Sequence, residues 1–91
     1  MNILKFPVLK FKHQGKNIIR YLKHTDLTFQ DENDDWWDIW FSKGNYVYQV
    51  CGKYVHPYRF LEDLVVYVYK HGELCDENRI ETIKDVSITY K

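Results

Sequence analysis

Tyr58-Arg59-Phe60-Leu61-Glu62-Asp63-Leu64-Val65-Val66-Tyr67-Val68-Tyr69-Lys70-His71 can form either a helix or a strand, and the choice between them sets the architecture. Two templates compete for it. Phe60, Leu61, Leu64, Val65 and Val68 recur at the three-and-four spacing of one buried helical face, with Glu62, Asp63 and Lys70 on the other side. Gly72 stands where a helix would end, after Lys70 and His71 in a last turn that favours cations. Against this, Val65-Val66-Tyr67-Val68-Tyr69 is a β-branched and aromatic run with strand propensity. The apolar stripe and the glycine stop predict a helix over residues 58–71, with a strand as the competing assignment.

Immediately upstream lies the clearest hairpin, Trp36–Phe41 and Tyr46–Cys51 around Ser42-Lys43-Gly44-Asn45. Side chains alternate across a strand, so Trp37, Ile39 and Phe41 share one face and Trp36, Asp38 and Trp40 the other. The expected partners are Phe41 with Tyr46, Ile39 with Tyr48 and Trp37 with Val50. These pairs make a continuous apolar face, which belongs to the core. The second face adds Val47 and Gln49 to Trp36, Asp38 and Trp40. A three-residue loop would flip the second strand, but Trp36 and Trp40 stay together in either case.

Further out, residues 3–12 and 17–23 read as two strands around His13-Gln14-Gly15-Lys16, where Gly15 can supply a positive φ. Pro7 fits a strand start or an edge. Residues 24–35 form a polar connection with a short turn after Thr25-Asp26. Asp85-Val86-Ser87-Ile88-Thr89-Tyr90 alternates as a last strand. The sum is β-β-β-β-α-β: an α+β fold with a small antiparallel sheet of about five strands and one helix packed on one face. Residues 1–91 make a single compact domain.

Composition narrows the classes. Hydrophobic residues make up 45% of the chain, too many for intrinsic disorder. Aromatics reach 18% and alanine is absent, which favours sheet over a helical bundle. The Lys, Asn, Ile and Tyr bias points to an AT-rich coding source, such as a low-GC bacterium or its phage. The start, Met1-Asn2-Ile3-Leu4-Lys5-Phe6-Pro7, is broken by charge and proline and does not read as a signal peptide. No stretch has the length of a membrane span. Cys51 and Cys75 are too few for a disulfide scaffold, so a cytoplasmic protein with reduced thiols is expected.

Net charge is zero but sorted. Lys5, Lys10, Lys12, Lys16, Arg20 and Lys23 precede residue 25, where no acid occurs; Asp26, Asp31, Glu32, Asp34, Asp35 and Asp38 follow without a base up to residue 38. The acidic run leads into all three tryptophans. Asp34, Asp35, Trp36, Asp38 and Trp40 are therefore the candidate partner-binding residues. Trp36 and Trp40 would act as anchors, and the carboxylates would steer toward another protein with a basic surface. The ordinary reading of the same run is a solvated loop beside core aromatics. Six acids are too few to mimic a nucleic-acid duplex at length.

The sequence also holds weaker constellations. Asp31, Asn33 and Asp35 match the first three ligand positions of a calcium loop, but Trp36 and Ser42 replace its glycine and its glutamate. Cys51, His56, His71 and Cys75 offer four zinc ligands in two local pairs whose convergence the strand assignments do not require. Lys10, Lys12, Tyr21 and Lys23 on one face of the first hairpin are the alternative site, a nucleic-acid platform of cations and a stacking ring. Val66 and Tyr69, on the outer side of the expected helix, offer a second contact or a homodimer seam. Neither a phosphate-binding glycine loop nor a nucleophile elbow nor HExxH is present. The sequence thus predicts a small non-enzymatic binding protein without cofactor or membrane attachment. It would be an inhibitor or adaptor carried by a phage or other mobile element and blocking a host or defence protein, with nucleic-acid binding as the alternative.

Overall fold

A computed structural model describes residues 7–22, 28–29, 36–55 and 59–90. Among the described residues eight strands follow in chain order: β1 (Pro7–His13), β2 (Lys16–Tyr21), β3 (Thr28–Phe29), β4 (Trp36–Lys43), β5 (Tyr46–Val55), β6 (Arg59–Lys70), β7 (Arg79–Ile83) and β8 (Val86–Tyr90). They form two antiparallel sheets, one in the order β2-β1-β8 and one in the order β3-β4-β5-β6-β7. One apolar cluster joins them. Leu9, Phe11, Ile18 and Leu22 meet Trp37, Ile39, Tyr48, Val50, Val66, Val68 and Ile83, so the sheets pack face to face. Among the described residues no helix is long and apolar enough to cross a membrane, a fact that does not bear on membrane-spanning strands.

The α+β expectation is overturned: the fold is all-β. Among the described residues the only helical element is a three-residue 3-10 turn, Asp76–Asn78. Residues expected to form the helix are β6, paired with β5 through Val66–Val50 and Tyr67–Gln49, and with β7 through Val66–Ile83 and Tyr67–Thr82. β6 is apolar on both faces. Val66 and Val68 point into the core, while Tyr69 is buried on the opposite face. Two apolar faces give a near-continuous apolar run, and such a run satisfies helical spacing by coincidence. The β-branched Val65, Val66 and Val68 then decide for strand, since a helix would freeze their χ1 angles against the preceding turn. Gly72, at φ 86°, serves the turn leading from β6 toward β7 and stops no helix. Val66 and Tyr69 are both buried and lie on opposite faces, so they form no outer seam.

The β4–β5 hairpin is present with a different register. Its loop is only Gly44-Asn45, closed by Lys43–Tyr46, and Gly44 at φ 63° supplies the positive φ that so short a loop needs. Phe41 therefore faces Tyr48, Ile39 faces Val50 and Trp37 faces Gly52, two positions from the expected partners. An even step keeps every side chain on its expected face. The β1–β2 hairpin is closed by His13–Lys16 around Gln14 and Gly15, both at positive φ. β3 and β7 add two strands that the sequence reading did not assign, and β8 matches the expected last strand.

Gly52 explains how the largest core side chain fits. A Cβ built there would lie 2.5 Å from Cζ2 of Trp37. The indole, only 1% exposed, lies over the glycine backbone on the neighbouring strand.

Candidate functional site

The outer face of the five-stranded sheet follows from strand parity. With Trp37 and Ile39 turned inward, Trp36, Asp38 and Trp40 must turn outward on β4. Their cross-strand partners Lys53, Cys51 and Gln49 share that face on β5, and Tyr67 and Tyr69 continue it on β6. Trp36 and Trp40 are exposed, Trp40 by 45%.

Four side chains on this face close a circuit. Trp40 Nε1 donates to Asp38 Oδ2 at 3.1 Å, and Gln49 Nε2 donates to the same oxygen at 3.2 Å. Tyr69 donates its hydroxyl proton to Gln49 Oε1 at 2.9 Å, and its ring stacks on Trp40 with centroids 5.4 Å apart and planes 27° apart. The indole is thus open to solvent on a surface that fixes its orientation. Holding the ring beforehand lowers the ordering cost of binding. Asp38 is assigned by this geometry to positioning Trp40. Arg79 adds a guanidinium 5.2 Å from the Tyr67 ring centroid.

Cys51 sits opposite Asp38 in the same face, half-buried, and its thiol is pushed up to about 11, first by burial and then by the Asp38 carboxylate. It is poorly suited to act as a nucleophile near neutral pH. Cys75 is exposed, and the Asn78 amide approaches its Sγ at 3.1 Å. His71 lies in the turn after β6. No group of three or more metal-ligating side chains gathers among the described residues. His56, Asp34, Asp35 and Lys23, together with the calcium-like positions Asp31, Asn33 and Asp35, lie outside the described residues.

The alternative site also assembles in part. Lys10 pairs with Ile19, Lys12 with Asn17 and Val8 with Tyr21, which places Lys10, Lys12 and Tyr21 on the outer face of the three-stranded sheet. Both lysines are exposed, and Tyr21 is 63% exposed. The two candidate surfaces therefore occupy the outer faces of different sheets.

A third cluster went unread in the sequence. His13, 4% exposed, bonds through Nδ1 to the Tyr48 hydroxyl at 2.9 Å and meets the Tyr46 ring edge-on at 4.7 Å. Its Nε2 stands 3.2 Å from Glu81 Oε2, without hydrogen-bond geometry. Burial above all, then the neighbouring Tyr46 and Glu81, holds the Tyr48 hydroxyl above the usual tyrosine range. The signal was available: Leu9, Phe11 and His13 are alternate residues, so a histidine continues the core face of β1. Compared with protein-family models, curated proteins and solved structures, the chain matches none of them.

Proposed function

We propose that this domain binds another protein through the outer face of the β4-β5-β6 region, with Trp36 and Trp40 as its anchors. The observation that supports this reading is the circuit around Trp40. A solvent-exposed indole held by a stacked tyrosine and a hydrogen-bonded carboxylate is prepared to fill an apolar pocket. The partner carries such a pocket with a basic rim, which the acidic segment before Trp36 attracts from a distance. The domain acts without chemistry, as an inhibitor or adaptor that occludes the surface it binds. A phage or mobile-element origin and a host or defence target fit the composition and size. The two unpaired thiols suit a cytoplasmic setting.

The test is a pull-down from a low-GC bacterial lysate, nuclease-treated, with a Trp36→Ala/Trp40→Ala variant in parallel and rebinding of the purified partner. Nuclease-resistant binding lost in a folded variant is the expected result. Equal binding by wild type and variant would refute the anchor assignment. A second reading has its own support: Lys10, Lys12 and Tyr21 converge on one exposed face, as a single-stranded nucleic-acid platform requires. That reading expects binding that weakens steeply with salt, is abolished by Lys10→Glu/Lys12→Glu and is unaffected by the tryptophan changes.

A further inference from the structure

The two short hairpins end at the same rim of the sandwich, and their registers put cations where a core would continue. Lys16 is paired with His13, and Lys43 with Tyr46, so each lysine starts on the inner face of its sheet. Tyr46 is paired on its other side with Lys70, which adds a third inner-face lysine. A rim built only to close an apolar core would use apolar side chains at these positions.

A cavity of about 500 Å³ opens here, lined by His13, Lys16, Lys43, Tyr46 and Tyr48 among others. A second, of about 460 Å³, lies beside it against Tyr46, Lys70 and His71, and Gly44 and Asn45 line both. Such sizes suit a small molecule. Among the described residues, none of the three lysines forms a salt bridge. Among the described residues Glu81, paired with inward-pointing Val68, is the inner-face carboxylate at this rim, and its Oε2 stands 3.2 Å from His13 Nε2. The Tyr46 hydroxyl is held by the Gln14 amide at 3.0 Å. His13 lines the larger cavity, and its buried Nε2 has no hydrogen-bond partner.

We infer that this rim binds a small molecule through a phosphate group. Charge balance chooses the class. Among the described residues, three lysines and one carboxylate start on the inner faces at this rim, an excess of two positive charges. A phosphate monoester carries about −1.5 to −2 at pH 7 and offers three acceptor oxygens. A single carboxylate ligand would leave one cation uncompensated. Lysine suits this task because its ammonium is a compact charge on a flexible stem, able to follow a tetrahedral anion. The rings of His13 and Tyr46, set perpendicular with centroids 4.7 Å apart, both line the larger cavity. This site is separate from the tryptophan face and does not depend on it.

The experiment is an amide NMR titration of the ¹⁵N-labelled full chain with inorganic phosphate, run against sodium chloride and sodium acetate at matched ionic strength. Saturable shifts at residues 13–17, 43–46 and 70–71 with phosphate, but not with acetate or chloride, are expected. Lys16→Gln/Lys43→Gln, both at exposed positions, should weaken phosphate binding by about tenfold. Lys84→Gln, at an exposed position in the link between β7 and β8, should leave it unchanged. Shifts that follow ionic strength alone, or equal saturation by wild type and the double variant, would overturn the site. Equal response to acetate would overturn the phosphate assignment.

Discussion

The inner face of β4 presents Trp37 and the outer face Trp36 and Trp40, and Trp37 and Trp40 are held by different physics. Trp37 is fixed by volume: its ring fills the core and lies on the bare backbone of Gly52. Trp40 is fixed by direction, through one stacked ring and a hydrogen-bonded carboxylate, with nearly half its surface in water. Close packing stabilises the fold and forbids change. A directional clamp costs little area and leaves a large apolar surface available. A single strand can thus carry both a core and a docking surface.

That contrast is most readily broken at Trp37. Trp37→Ala should lose about 3–5 kcal/mol, as large-to-small core changes do, measured by urea unfolding. Retained stability would mean the indole is not a core element. Next comes Gly52→Ala, where the added methyl meets the indole; about 1–3 kcal/mol should be lost. The coupling sharpens the test, since in a Trp37→Ala background the same change should be close to neutral. Full cost in both backgrounds would place the strain in the backbone instead.

Trp40→Ala should cost only about 1 kcal/mol, the order of an aromatic pair on a surface, while abolishing partner capture. A loss as large as that of Trp37→Ala would erase the distinction between the faces. The smallest effect is expected from the cysteines. Exposed Cys75 should react with a disulfide reagent first, and Cys51 should lag until the pH nears 11. Cys51, Tyr48 and Tyr69 all have their pKa values raised, each chiefly by burial. The folded state thus favours their neutral forms. Stability from this source is complete below pH 9, the ordinary value for the thiol, and declines as pH rises through 10 and beyond. Urea midpoints at pH 7, 9.5 and 11 would check that direction, and a midpoint unchanged at pH 11 would contradict it.

Much of this was legible in the chain. Alternation alone sorted Trp37, Ile39 and Phe41 from Trp36, Asp38 and Trp40, and glycine marked both short turns. What failed was arbitration in residues 58–71, because a strand apolar on both faces loses the alternation that identifies it. Nothing local to Val66 or Val68 records that β5 and β7 will flank them. Partner choice is equally invisible: the clamp on Trp40 needs Gln49 and Tyr69 from two other strands, and no spacing announces a hydrogen bond across 20 residues of chain. His13 was overlooked for the opposite reason. Its place in the alternation was plain, but its position beside the turn made it look like part of a polar loop.

The two-residue turn at Gly44-Asn45 also limits how this protein can diverge. A codon triplet gained or lost there would rotate every later residue of β5 by half a turn, sending Val50 to water and Gln49 to the interior. Two triplets together would only slide the ladder and preserve both faces. Descendants of this chain should therefore differ at that turn by even numbers of residues, and an odd difference should be accompanied by a compensating bulge further along β5.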